Sequence, residues 1–419
     1  MKKILAILTA LLLVSCSLNH DEVVVSMKKN TTTKISKEQA LKNLYGELNI
    51  IDGETRADGT TRKVKSIEPL VGAKTRSGNA LDNDLLYIVE FEEGQGSAVL
   101  AADTRLDPVI AVLDTDVLTA EDFASDDMDD INAYMASMID DYASIASFGT
   151  LQPLLPAPGH TVTDTIYRVH VHPLLTTKWG RNYPYNGLSV EEADSYTLPT
   201  SVVACAQILN YYGGPNVING QLMNWAIMNY VENKGRLTGM AMAYTSVARL
   251  MSALLEMNTG VCDIFNTLGY EAELVRLSDY SLLDTVGLDM IKTSLIDNRP
   301  VFMGASVEEM GMNAHYWVVD GCLDYTARSI TAVEKMGDVD AGDPIVEYIT
   351  YETDYDKIHC NFGRDGKCDG YYTYRLFNIG YPNYDIDESV GDKTHFMGGY
   401  IDEYSYNYRY NMKLVLVQE

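Results

Sequence analysis

The stretch LPTSVVACAQILNYYGGP, from Leu198 to Pro215, constrains the fold more than any other part of the chain. Val202, Val203, Ala204, Cys205, Ala206, Ile208 and Leu209 would cover nearly every side of a helix with small or apolar groups, so that helix must be buried. Thr200 and Ser201 are expected to cap its start, and Gly213, Gly214 and Pro215 to stop it. A buried helix whose N-terminus opens on a cleft favours negative charge there, because the peptide dipoles add along its axis. A thiol at such a place becomes a thiolate. Here the place holds hydroxyls.

The N-terminus sets the compartment. MKKILAILTALLLVSC has two lysines, an apolar run too short for a stable membrane span, and LVSC ending at Cys16. It resembles a bacterial lipobox, which implies cleavage before Cys16, lipidation of its sulfur, and an exported chain anchored in the cell envelope at the outer membrane or cell surface. Residues 1–16 are thus expected as the signal and 17–34 as a polar tether. The 59 acidic residues against 32 basic ones, a net charge of −27, argue against nucleic acid as a partner, since binding phosphate needs basic patches. Five cysteines remain after Cys16, with no zinc-type spacing, so no metal and no cofactor are expected. Cys360 and Cys368 flank an expected hairpin and could pair across it.

A chain of 419 residues exceeds what one core usually covers. Residues 35–145 read as a small α+β domain: a helix begun by a capping box at Ser36 and Gln39, then strands LLYIVEF, SAVLAA and VIAVLD, then a helix from about Asp127 to Tyr142. The Pro-bearing stretch over 146–165 reads as a linker. Residues 166–419 begin with a helical half, with Met242, Val247, Leu250, Met251, Leu254 and Leu255 at helical spacing. They turn to strands from Arg299: PVFMGAS, HYWVVDGC, IVEYITY, KIHCNFG, DGYYTYRLF and YSYNYRYNMKLVLV. A helical half followed by an antiparallel sheet is an α+β layout with a cleft between the halves.

His315 opens one strand, and Asn361 lies near the end of another. A histidine that takes a proton and an asparagine that orients its ring form the pair that activates a nucleophile at a facing helix. The segments PLLTTKWGRNYPYN, the Leu198 helix with Ala206 and Gln207, NRPVFMGAS before AHYWVVDG, and HCNFGRDGKCDGYY stand in an order that resembles the streptopain family of secreted cysteine peptidases. Residues 35–145 resemble that family's propeptide, the Spi-type inhibitor domain. The resemblance implies a papain-like fold, peptide or protein substrates, and a propeptide that covers the cleft until it is removed.

Carried over residue by residue, the family's histidine falls on His315 and its asparagine on Asn361. The nucleophilic cysteine falls on Thr200, or on Ser201 after a slip of one. The oxyanion glutamine falls at about Arg181, and two tryptophans beside the asparagine become Phe362 and Arg364. A hydroxyl at a helix N-terminus cannot ionise near neutral pH as a thiol can. Cys205 lies more than one turn inside the helix and is expected to serve packing. The first expectation is therefore a peptidase-like protein that binds peptides, or a partner peptidase, without cleaving them. The alternatives are a working peptidase using Thr200, Ser201 or Cys205 with His315, and an inhibitor or adhesin acting through the N-terminal domain.

Overall fold

The computed structural model describes residues 33–53, 62–70, 85–125, 127, 130–148, 161–188, 197–229, 241–276, 286–306, 314–335, 345–377 and 410–418. The signal, Cys16 and all but the last two residues of the tether lie outside them. The elements run α1 (Lys37–Ile51), β1 (Val64–Pro69), β2 (Leu86–Phe91), β3 (Ser97–Ala101), β4 (Val109–Leu113), α2 (Ala120–Ala124), α3 (Ile131–Phe148) and β5 (Thr161–Val171). Then come α4 (Thr200–Tyr212), the short β6 (Val217–Ile218) and β7 (Gln221–Leu222), α5 (Trp225–Met228), α6 (Ala241–Met257), α7 (Val261–Thr267), β8 (Glu271–Arg276) and α8 (Val286–Ile296). Strands β9 (Val301–Ser306), β10 (His315–Lys335), β11 (Ile345–Asn361), β12 (Gly370–Thr373) and β13 (Tyr410–Gln418) complete the order. Residues 33–331 and 350–419 form one compact unit, and the outer ends of β10 and β11, residues 332–335 and 345–349, lie outside it.

The α+β layout is as expected, and its sheet is antiparallel wherever register is defined. The order is β1-β2-β3-β4-β12-β11-β10-β9-β13-β8, with β5 also on β10. Two strands can share one edge of β10 because it is long: β9 pairs with His315 to Val319, and β5 takes over from Cys322. The N-terminal meander joins the rest through β4, whose Ala111, Val112 and Leu113 pair with Tyr372, Tyr371 and Gly370 of β12. Helix α3 runs to Phe148 and β5 begins at Thr161, so regular structure reaches into both ends of the stretch 146–165.

Strand alternation sorts the apolar residues onto two faces. Val301, Met303, Ala305, Trp317 and Val319 belong to a cluster with Leu44 and Leu48 of α1 and Met135, Met138 and Ile139 of α3. Phe302, Val318, Val415 and Val417 belong to a second with Val203, Ile208 and Leu209 of α4 and Leu250 and Leu254 of α6. Each such aliphatic side chain contributes about 1.5–3 kcal/mol when taken fully out of water.

Several sequence expectations need correction. Only half of the capping box at α1 forms: Gln39 N–H donates to Ser36 Oγ (3.3 Å), but the Gln39 side chain turns to Asn43. IVEYITY and KIHCNFG are one strand, β11. The segment EAELVR, read as part of a helical region, is the edge strand β8 against β13. Met242 keeps the helical spacing but is 70% exposed at the start of α6. Cys360 and Cys368 are both free and buried, so the possible disulfide is not made. Among the described residues no helix is long and apolar enough to cross a membrane.

Candidate active site

Helix α4 is buried from Thr200 to Asn210, apart from the half-buried Ser201. It ends on Gly213 at φ 67°, as the Gly-Gly-Pro signal implies. Its start differs from expectation. Thr200 and Ser201 are its first two helical residues, and the cap is Pro199, which has no side-chain acceptor to offer. The Pro199 carbonyl accepts from the N–H groups of Val202 and Val203. The N–H groups of Thr200 and Ser201 find no acceptor among the described residues.

The Thr200 hydroxyl is committed to structure. Its Oγ1 accepts from the backbone N–H of Tyr316 (3.0 Å), which ties the start of α4 to the start of β10 one residue after His315. His315 shares its strand face with Trp317, and its ring packs against Tyr134 of α3 (centroids 6.0 Å apart, stacked), Phe362 (6.2 Å) and Trp317 (6.4 Å). Its Nε2 is buried with no hydrogen-bond partner among the described residues. Burial, then the positive charges of Arg364 and Arg181, hold its pKa well below the usual imidazole value. The site histidine is neutral.

Asn361 does not orient that ring. Its Nδ2 donates to the Thr177 carbonyl (2.7 Å), and its Oδ1 accepts from Gln207 Nε2 (2.9 Å) and Gly363 N–H (3.1 Å). Gln207 in turn accepts from the Trp179 N–H through Oε1 (3.3 Å). Asn361 thus fastens β11 to α4 and to the segment around Trp179. Gly363 permits this approach: its φ is 64°, and a Cβ there would lie 2.8 Å from Val203 Cγ1 on α4.

Arg181 lies against the helix start, its Nε donating to the Leu198 carbonyl while its own carbonyl accepts from Leu198 N–H (3.0 Å). The Arg364 to Cys368 turn touches the same segment: Asp365 N–H donates to the Trp179 carbonyl (3.4 Å), and a Cβ on Gly180 would meet the Asp365 carboxylate. Phe362 is buried, its N–H donating to Asp369 Oδ1 (2.8 Å). Burial pushes Asp369 up to about 8. Cys205 is fully buried, and burial raises its thiol far above neutral pH. Among the described residues no group of three or more His, Cys, Asp or Glu is placed to hold a metal.

The site therefore brings together Thr200, Arg181, Arg364, Phe362 and His315, and assigns Asn361 to Gln207 and Thr177. Sequence reasoning missed Tyr134 as a neighbour of His315. It also missed a second buried histidine, His359. Its Nδ1 lies 2.6 Å from Asp320 Oδ1 and its Nε2 3.3 Å from Asp114 Oδ2. Burial opposes its charge, but the two carboxylates outweigh burial and raise it to about 10. Nothing in the spacing of Asp114, Asp320 and His359 announces this contact, because residues of β10 and β11 and the residue after β4 make it.

Among solved structures, a fragment of Prevotella intermedia prointerpain A is 18% identical, covering 85% of this chain and 98% of its own, with a TM-score of 0.49. Active wild-type Prevotella intermedia interpain A, a cysteine protease, is 21% identical, covering 59% and 95%, with a TM-score of 0.37. No curated protein matches. Residues 240–372, which carry His315, Asn361, Phe362 and Arg364 but neither Thr200 nor Arg181, match the Peptidase C10 family.

Proposed function

We propose that this chain is a peptidase-like binding protein of the cell envelope, anchored through Cys16, whose streptopain-like cleft takes peptides or a partner peptidase without cleaving them. One observation carries the reading: the three groups that would activate a nucleophile are each engaged otherwise. Thr200 Oγ1 accepts from Tyr316, the His315 ring lies among aromatic rings, and the Asn361 amide bonds to Thr177 and Gln207. An alcohol needs a strong, oriented base to lose its proton in the reaction. A buried imidazole beside two guanidinium groups is a weak one. The stacking of Tyr134 on His315 supports the further reading that α3 covers the cleft, as a propeptide would.

The test is casein incubated with the purified chain, with and without limited removal of the N-terminal region. It is expected to stay intact, and a fluorophosphonate probe is expected to label neither Thr200 nor Ser201. Cleavage that His315→Ala abolishes would overturn the reading. The anchor has its own check: incorporation of labelled palmitate that Cys16→Ala removes.

A further inference from the structure

Between the N-terminal meander and the peptidase-like strands the interior holds a lysine and a glutamate that the cleft does not use. Glu47 of α1 is 2% exposed and Lys357 of β11 is 1% exposed, and Lys357 Nζ lies 3.5 Å from Glu47 Oε1. Their chain neighbours Leu44, Leu48 and Ile358, with Tyr325 and Tyr355, belong to one apolar cluster. Two buried charges each lose hydration worth several kcal/mol, and their attraction offsets this only where the remaining polar atoms are also bonded. Here one is not. Glu47 Oε2 is buried with no hydrogen-bond partner among the described residues. Burial holds the Glu47 carboxyl above the usual carboxylate range, against the opposing pull of Lys357 and Tyr325. A neutral amide in place of the two charges would remove that cost.

The surroundings are those of an amine held against an acyl group. The Tyr325 hydroxyl donates to Glu47 Oε1 (2.5 Å), the oxygen that carries negative charge in a tetrahedral intermediate. Lys357 Nζ donates to the Val109 carbonyl of β4, which fixes the amine beside the carboxyl and raises its effective concentration there. Asp107, bonded to Thr373 and near enough to act on the Glu47 charge, offers a carboxylate to relay a proton. We propose that Lys357 and Glu47 condense into an isopeptide bond that joins α1 to β11. One proton passes from the ammonium to Glu47 Oε2, Nζ attacks Cδ while Tyr325 holds Oε1, and Oε2 leaves as water with a second proton from the nitrogen. The Nζ–Cδ bond forms, the Cδ–Oε2 bond breaks, and nothing is oxidised or reduced. The bond ties the N-terminal part to the peptidase-like part, so a cut in the chain between α3 and β5 leaves the two joined. It is independent of what the cleft binds.

The experiment purifies the full folded chain, denatures it, digests it with trypsin and weighs the peptides by mass spectrometry. Residues 43–56, which carry Glu47, and residues 336–364, which carry Lys357, are expected as one linked species, uncut at Lys357 and lighter than their sum by one water. Fragmentation is expected to place the bond between Glu47 and Lys357. Lys357→Arg keeps the charge but has no amine to acylate, and is expected to release residues 43–56 unlinked. Tyr325→Phe removes the donor to Oε1 and is expected to slow formation of the bond at least about tenfold. Recovery of residues 43–56 wholly unlinked from the folded wild type, or linked to any residue other than Lys357, would overturn the proposal, as would a bond that forms equally fast without the Tyr325 hydroxyl.

Discussion

Two buried histidines lie on neighbouring strands of one sheet and titrate in opposite directions. His315 sits among Tyr134, Trp317 and Phe362 with two arginines nearby, and is held neutral. His359 sits between Asp320 and Asp114 and is held charged. Burial is near complete for both, so burial does not separate them. Neighbouring charge does: two cations disfavour a third, and two anions demand one. The residue in the catalytic position of the resembled family is thus the less able to carry a proton. The charged histidine holds the N-terminal meander, through Asp114 at the end of β4, against the strands of the peptidase-like part.

The largest way to break this comparison is His359→Gln. It leaves the buried Asp320 without its counter-charge and Asp114 with Lys178 and Arg62 alone, and is expected to cost about 3–5 kcal/mol in urea unfolding. His315→Gln removes no hydrogen bond and is expected to cost less than about 1 kcal/mol. Equal costs would mean that His315 has a partner after all. The pH dependence sharpens the point. Because the folded pKa of His359 is raised, its contribution is complete below the unfolded value near 6.5 and is lost as pH rises through about 10. The unfolding midpoint of the wild type should fall over that window, and His359→Gln should flatten it.

Asp140 on α3 provides the uncompensated case. Its Oδ1 has no partner among the described residues, and burial raises its pKa to about 6. A carboxyl with a raised folded pKa costs stability as pH climbs from its unfolded value near 4 to about 6. Asp140→Asn is expected to stabilise the chain by about 2–3 kcal/mol at pH 8 and by nothing at pH 3, read from urea midpoints at the two pH values.

Asn361→Ala tests the neutral site from its other side. It strips buried partners from Thr177, Gln207 and Gly363, and a loss of about 2 kcal/mol is expected. A change near zero would argue that the amide serves His315 instead. The smallest effect is Thr200→Val, which removes one acceptor from Tyr316 N–H and should cost about 1 kcal/mol. Thr200→Cys, assayed with iodoacetamide at pH 7, should react no faster than an ordinary thiol, since a neutral His315 offers no ion pair. Adding Arg181→Gln and Arg364→Trp removes the charges that depress His315 and should raise that rate.

Much of the fold was legible in local pattern. Short apolar runs marked β2, β3, β4 and β9, the Gly-Gly-Pro stop marked the end of α4, and Ser36 marked the start of α1, because those signals act within a turn or a strand. Strand β8 was not legible: EAELVR has weak alternation, and its pairing comes from β13, about 140 residues later. The start of α4 was misread because Thr and Ser make good caps, yet Pro199 took that place and left Thr200 to meet Tyr316 across the sheet.

The sequence alone determined which groups reach the site: hydroxyls where the resembled family has a thiol, arginines where it has glutamine and tryptophan, and a histidine and an asparagine retained. What each group does there was decided by tertiary structure. Asn361 binds Gln207 and Thr177, His315 turns among aromatic rings beneath α3, and His359 gains two carboxylates. Hydrogen-bond partners and local charge come from residues distant in the chain, and those set the proton affinities on which the chemistry depends.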